Sequence, residues 1–109
     1  MNISSMIAND MEPLHPTHPG SILKEELECR GISQRQLAKD MNVSYTMLNE
    51  VLNEKRAIDT ELSLMLEVAL GIDAEPLMNM QTRYNLLTTK RDRSFLQKLK
   101  SIRRIAAVL

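Results

Sequence analysis

The chain is poor in the residues that stiffen most small proteins. It has no Trp, one Phe and two Tyr among 109 residues, so aromatic stacking cannot organise its interior. Leu, Met, Ile and Val must fill the core, and eight Met make it adaptable. A single cysteine, Cys29, excludes an internal disulfide and fits a reducing cytoplasm. The three Gly and four Pro fall between apolar-periodic segments, which favours an all-helical fold. No apolar run approaches the roughly 20 residues of a membrane span. The N-terminus lacks the basic and apolar regions of a signal peptide. A cytoplasmic protein without a membrane partner is therefore expected. Catalytic patterns are missing as well. There is no Gly-rich phosphate loop, no repeated Cys/His pattern and no strand to carry a nucleophile elbow. His15 and His18 stand in the N-terminal stretch without a cluster of further ligands. Neither a metal, a cofactor nor an enzymatic activity is expected.

The net charge is zero, but the charges are segregated. Residues 19–80 carry six basic and eleven acidic side chains, a net −5. Residues 81–109 carry eight basic side chains and one acid, Asp92, a net +7. An acidic body is unusual for a protein that binds only DNA, whose affinity comes largely from phosphate neutralisation. It points to a second, basic partner. Glu25, Glu26 and Glu28 equally fit a solvated helix face.

What is present is concentrated between Ile32 and Val51. Ser33 is placed to cap a helix, and Gln36 three residues later would complete a capping box. Leu37, Ala38 and Met41 recur at helical spacing and define a buried face. Asn42 ends this helix, since Asn tolerates a left-handed backbone. Val43 plugs the angle before Ser44 caps a second helix. Met47, Leu48, Val51 and Leu52 form the buried stripe of that helix. Tyr45, Thr46, Asn49, Glu50 and Asn53 are left outside, with 46, 49, 50 and 53 sharing one face.

Two short helices with a polar outer stripe form a helix-turn-helix, which presents side chains to the major groove of DNA. Asn pairs bidentately with adenine, while Thr and Tyr offer hydroxyls and apolar edges. The same pattern also fits an ordinary solvated surface in a helical domain that binds no nucleic acid. Lys55 and Arg56 follow in a polar loop, placed either for phosphate contact or for the helix dipole.

Around this centre, residues 1–18 read as a flexible arm. Helix 1 starts at Pro19 with Ile22, Leu23 and Leu27 inward, and Gly31 stops it. Asp59 caps helix 4, with Leu62, Met65, Leu66, Ala69 and Leu70 apolar and Gly71 as the stop. Asp73 caps helix 5, with Pro76 in its first turn. Residues 19–90 are therefore expected to form the DNA-binding and dimerisation domain. The segment 91–109 ends in a basic amphipathic helix, expected over Ser94–Leu109, with Phe95, Leu99, Ile102 and Ala106 at helical spacing. Such a helix docks on its own body, a second subunit, another partner or a membrane. Packing in a dimer is the preferred reading.

The stretch from His18 to Ile58 resembles Cro/repressor-type helix-turn-helix proteins, and most closely the HigA antitoxin branch. His18-Pro19-Gly20, Leu23-Lys24-Glu25-Glu26-Leu27 and Ala69-Leu70-Gly71 followed by Ala74-Glu75 carry the likeness. So does Leu77-Met78-Asn79-Met80-Gln81 with Tyr84-Asn85-Leu86, similar to a W-L-N-L-Q-x-x-Y-D-L pattern. The resemblance covers roughly residues 15–90. It implies a five-helix lambda-repressor-like domain, here with an extra C-terminal helix. It implies a homodimer on a palindromic operator of double-stranded DNA in its own promoter. It also implies a partner of the HigB type, a small basic ribonuclease toxin that cuts mRNA on the ribosome. By the same resemblance Gln34 would contact phosphate, and Ser44, Tyr45, Thr46 and Asn49 would face bases. Gln36, Lys55 and Arg56 complete the expected DNA-binding set. Three positions depart from the pattern. Asn53-Glu54 replaces Asn-Gly, Leu77 replaces Trp, and Asn85 replaces Asp. A carboxylate at Glu54 would oppose phosphate binding. An autorepressing antitoxin is thus the leading expectation, with a plain repressor or a protein-interaction adaptor as alternatives.

Overall fold

Helices in this chain begin where a side chain can accept the first free N–H groups. The computed structural model describes residues 16–102. Six helices follow one another: α1 (Pro19–Arg30), α2 (Gln34–Met41), α3 (Tyr45–Leu52), α4 (Thr60–Leu70), α5 (Ala74–Lys90) and α6 (Arg93–Ser101). No strand occurs among the described residues. Ser33, Ser44 and Asp59 each accept the N–H three residues on, from Gln36, Met47 and Leu62. Only half of the expected capping box forms. The Gln36 amide donates to Asp40 at 2.7 Å instead of returning to Ser33. The N–H of Ala74, at the start of α5, goes to Glu67 Oε1 at 3.0 Å.

α1 corrects the expectation for the N-terminal arm. His18 is its N-cap and is buried, with Nδ1 accepting from the Gly20 N–H at 2.9 Å. Pro19 then occupies the first helical position, where its missing N–H is not needed. A Cβ at Gly20 would overlap the carbonyl oxygen of Val51, so α1 and α3 approach too closely for any other residue. The expected arm residues 1–15, His15 among them, lie outside the described residues.

Helix ends are set by left-handed residues, at Gly31, Asn42 and Gly71. After α3 the same work falls to Glu54, at φ 64°. Its N–H reaches the Val51 carbonyl at 3.1 Å, and the Lys55 N–H reaches Glu50 at 2.8 Å. These two bonds make the Schellman stop that usually uses glycine. Glu54 sits where the family pattern has that glycine, and a side chain there costs about 1–2 kcal/mol.

Residues Thr17–Tyr84 form one compact unit. Its core joins Leu23 and Leu27 of α1, Leu37 and Ala38 of α2, and Leu48, Val51 and Leu52 of α3. Ile58, Leu62, Leu66, Leu70 and Leu77 complete it. Leu48 is fully enclosed, so truncation to Ala would cost about 2–5 kcal/mol. Ile22, expected inward on α1, is exposed. Of the apolar set of α4, Met65 and Ala69 are exposed too, because that helix buries the line of Leu62, Ser63, Leu66 and Leu70. Gln81 is buried and accepts the Ile58 N–H at 2.8 Å, tying the loop after α3 to α5.

A second unit begins at Asn85, within α5. In it, Asp92 caps α6 by accepting the Phe95 N–H at 3.0 Å. That bond holds the Asp92 carboxyl below its usual range. α6 ends at Ser101 and Ile102 is extended, so the helix is shorter than the expected Ser94–Leu109. Residues 103–109 lie outside the described residues. Among the described residues, no helix is long and apolar enough to cross a membrane.

Candidate nucleic-acid interface

α3 turns its apolar side into the core and leaves a polar stripe outside. Leu48, Val51 and Leu52 are buried, while Tyr45, Thr46 and Asn53 are exposed and Asn49 and Glu50 are half-buried. This is the split that the spacing of apolar residues predicts. α2 holds α3 in place through the shared core residues Leu37 and Ala38. Val43 packs against the core from the turn.

The central contact joins the two helices by their polar sides. Asn49 Nδ2 donates to Gln34 Oε1 at 2.9 Å. Gln34 is the first residue of α2 and Asn49 lies in the middle of α3. The bond uses one N–H of Asn49 and leaves its second N–H and its Oδ1 for another partner. An amide held in this way has less rotamer freedom to lose on binding. Asn53 Nδ2 donates to the Asn49 carbonyl at 2.9 Å, and Lys24 Nζ donates to Asn53 Oδ1 at 3.1 Å.

The other expected residues have distinct fates. Ser44 is exposed, but its hydroxyl is taken by the Met47 N–H at 3.2 Å, so it is first a helix cap. Gln36 is exposed and bound to Asp40, on the side of α2 that lines an apolar groove. It does not join the Gln34–Asn49 pair. Thr46 stands exposed beside Tyr45. Lys55 is exposed in the loop after α3. Arg56, in the exposed loop, pairs with Glu50 at 2.9 Å, and both side chains still reach solvent. Such a pair is worth only about 0.2–1 kcal/mol, so a phosphate can displace the carboxylate.

Two further cations stand beside the expected residues. Arg35 lies over the Tyr45 ring, 4.4 Å from its centroid. The stacking orients both side chains at the meeting of the α2 and α3 N-termini, for about 0.5–1 kcal/mol. Lys24, reached through Asn53, lies at the opposite end of α3. Sequence spacing could not assign either, since each depends on helices that meet only in three dimensions.

His18 lies beside the loop that follows α3. Its ring meets Tyr84 edge-on, with centroids 4.8 Å apart. Burial lowers its pKa below the ordinary value, while the Glu54 carboxylate and a hydrogen bond to the Arg56 backbone work the other way. The ring therefore reports directly on the loop that carries Glu54, Lys55 and Arg56.

Known proteins resemble this chain in sequence and fold. The helix-turn-helix family pattern matches residues 23–77. The chain is 42% identical over 77 residues to virulence-associated protein I of Dichelobacter nodosus, covering 70% of this chain and 71% of that protein. The solved structure of antitoxin GraA is similar with a TM-score of 0.76 and 29% identity, covering 85% of this chain and 100% of that one. Pseudomonas aeruginosa antitoxin HigA, solved with the higBA promoter, gives a TM-score of 0.72 and 31% identity over 83% of this chain and 98% of its own.

Proposed function

We propose, from the premise that this chain belongs to the helix-turn-helix family, that it is an autorepressing antitoxin. It reads a palindromic operator in its own promoter as a homodimer and neutralises a basic ribonuclease toxin of the HigB type. The observation that carries the DNA-reading half is the Asn49–Gln34 bond, which presents a partly free amide on an outward helix face. Tyr45 and Thr46 extend that face, and Arg35, Lys55 and Arg56 surround it with positive charge for phosphates. Two such helices read successive major grooves when their half-sites lie about 34 Å apart or a multiple of that.

The antitoxin half is supported by likeness to two antitoxin structures and by the net −5 of residues 19–80, which suits a basic partner. Fluorescence anisotropy on a duplex from the chain's own promoter tests the first half. Saturable binding at physiological salt, lost on scrambling the duplex, is expected. Co-expression with any small basic reading frame found beside the gene tests the second half. A stable complex and relief of growth arrest are expected. Operator binding without any such neighbour would leave a plain repressor, and failure to shift the promoter at all would leave an adaptor.

A further inference from the structure

The apolar residues that α4 leaves outside line a groove. Leu64, Met65 and Val68 face Ile32, Leu37 and Met41 across a cleft of about 950 Å³. Val68 is 89% exposed and Leu64 50%, a waste of apolar surface unless something covers it. The charged groups at the edges are not balanced. Asp40 lines the groove, and Glu61 shares the α4 face of Leu64, Met65 and Val68 by helical spacing. The nearby cation, Arg30, is already bound to Glu26 at 2.8 Å and to the Leu70 carbonyl at 2.7 Å. An occupant with an apolar stripe and positive flanks is called for.

The chain itself contains such an element. No residue of α6 is buried. Phe95 and Leu99 recur at i and i+4, about 6 Å apart along the axis at 1.5 Å per residue, and Ile102 follows as the extended residue that ends α6. Phe95 is 38% exposed and Ile102 66%. Arg93, Lys98 and Lys100 flank the stripe. The groove and α6 thus share apolar character and carry opposite charge, as do the acidic and basic halves of the sequence.

We infer that the groove between α2 and α4 of one copy receives α6 of a second copy, and that the exchange is mutual. Two equal contacts then form around a two-fold axis, as a closed homodimer requires. This contact rests on the dimeric reading proposed above and gives that dimer its interface. It also leaves the outer face of α3 free in both copies.

Full-length protein carrying Cys29→Ser is the background for the test, since the native thiol is exposed. Copies with Val68→Cys are mixed with copies bearing Phe95→Cys and treated with a short bismaleimide. A covalent heterodimer is expected. In parallel, Val68→Glu and Phe95→Glu should each raise the dimer dissociation constant at least tenfold by sedimentation, with helicity by circular dichroism unchanged. Mixing the two Glu variants should restore part of the dimer, because one of the two exchanged contacts survives intact. A dimer indifferent to both substitutions, or a heterodimer that never cross-links, overturns this contact but leaves the dimeric reading standing. A wild-type chain that sediments as a monomer at all concentrations overturns both.

Discussion

The Asn49 amide donates to Gln34 across 2.9 Å, so the polar face of α3 is aligned from α2 before any ligand arrives. Two residues 15 positions apart therefore act as one unit.

Asn49→Ala is expected to weaken binding to the specific operator by about 1–3 kcal/mol and to relax selectivity at one base pair. Gln34→Ala should cost less, because it removes alignment and not the reading group. The double variant should fall short of the sum of the two, by about 0.5 kcal/mol or more, since the residues are in contact. Anisotropy titrations against the operator and its single-base variants measure all three. Equal losses on random DNA would show that Asn49 reads nothing.

Arg35 and Lys55 should behave differently. Each is expected to contact phosphate, so Arg35→Ala and Lys55→Ala should weaken every duplex alike and reduce the slope of log K against log salt by about 1. Titrations from 50 to about 300 mM salt give that slope. Arg35→Ala should also free the Tyr45 ring, visible as a change in Tyr fluorescence.

Glu54 carries two separate costs that one substitution removes. Its left-handed backbone at φ 64° suits glycine, and its carboxylate lies in the loop of Lys55 and Arg56. Glu54→Gly gains about 1–2 kcal/mol of relieved strain and loses roughly 0.5–1 to the freer unfolded chain. A net gain of about 0 to 1.5 kcal/mol is expected, read as a rise of up to several degrees in Tm. Affinity for DNA of any sequence should increase together with it, most strongly at low salt.

His18 makes stability depend on pH. The folded state needs Nδ1 as an acceptor for Gly20, and burial favours the neutral ring, so the folded pKa lies below the ordinary 6.5. Below about pH 6.5 the unfolded chain binds a proton that the folded chain refuses. Stability is therefore full above pH 6.5 and falls as the pH drops from there toward the lower folded pKa. Denaturant midpoints at pH 7.5 and 5.5 should show the fall. His18→Asn keeps a capping acceptor without the titration and should flatten this step. An unchanged pH profile in that variant would assign the effect elsewhere.

Much of this fold follows from local rules that a sequence states openly. Caps at Ser33, Ser44 and Asp59, stops at Gly31, Asn42 and Gly71, and the stripe of Leu48, Val51 and Leu52 all depend on neighbours within a turn or two. They are therefore visible in the order of residues. The helix-turn-helix, the outward side of α3 and the charge segregation belong to the same class. Groups that meet across helices needed the tertiary structure. His18 passed for a loop residue until α1 and α5 brought it against Gly20 and Tyr84. Met65 was one of the apolar set of α4 until the packing of that helix made it a groove wall. Arg35 had no marked role until α3 placed Tyr45 beneath it. Periodicity tells which residues share a face of a helix. Only the assembled helices decide what that face meets, because burial and long-range hydrogen bonds belong to pairs of elements and not to either one alone.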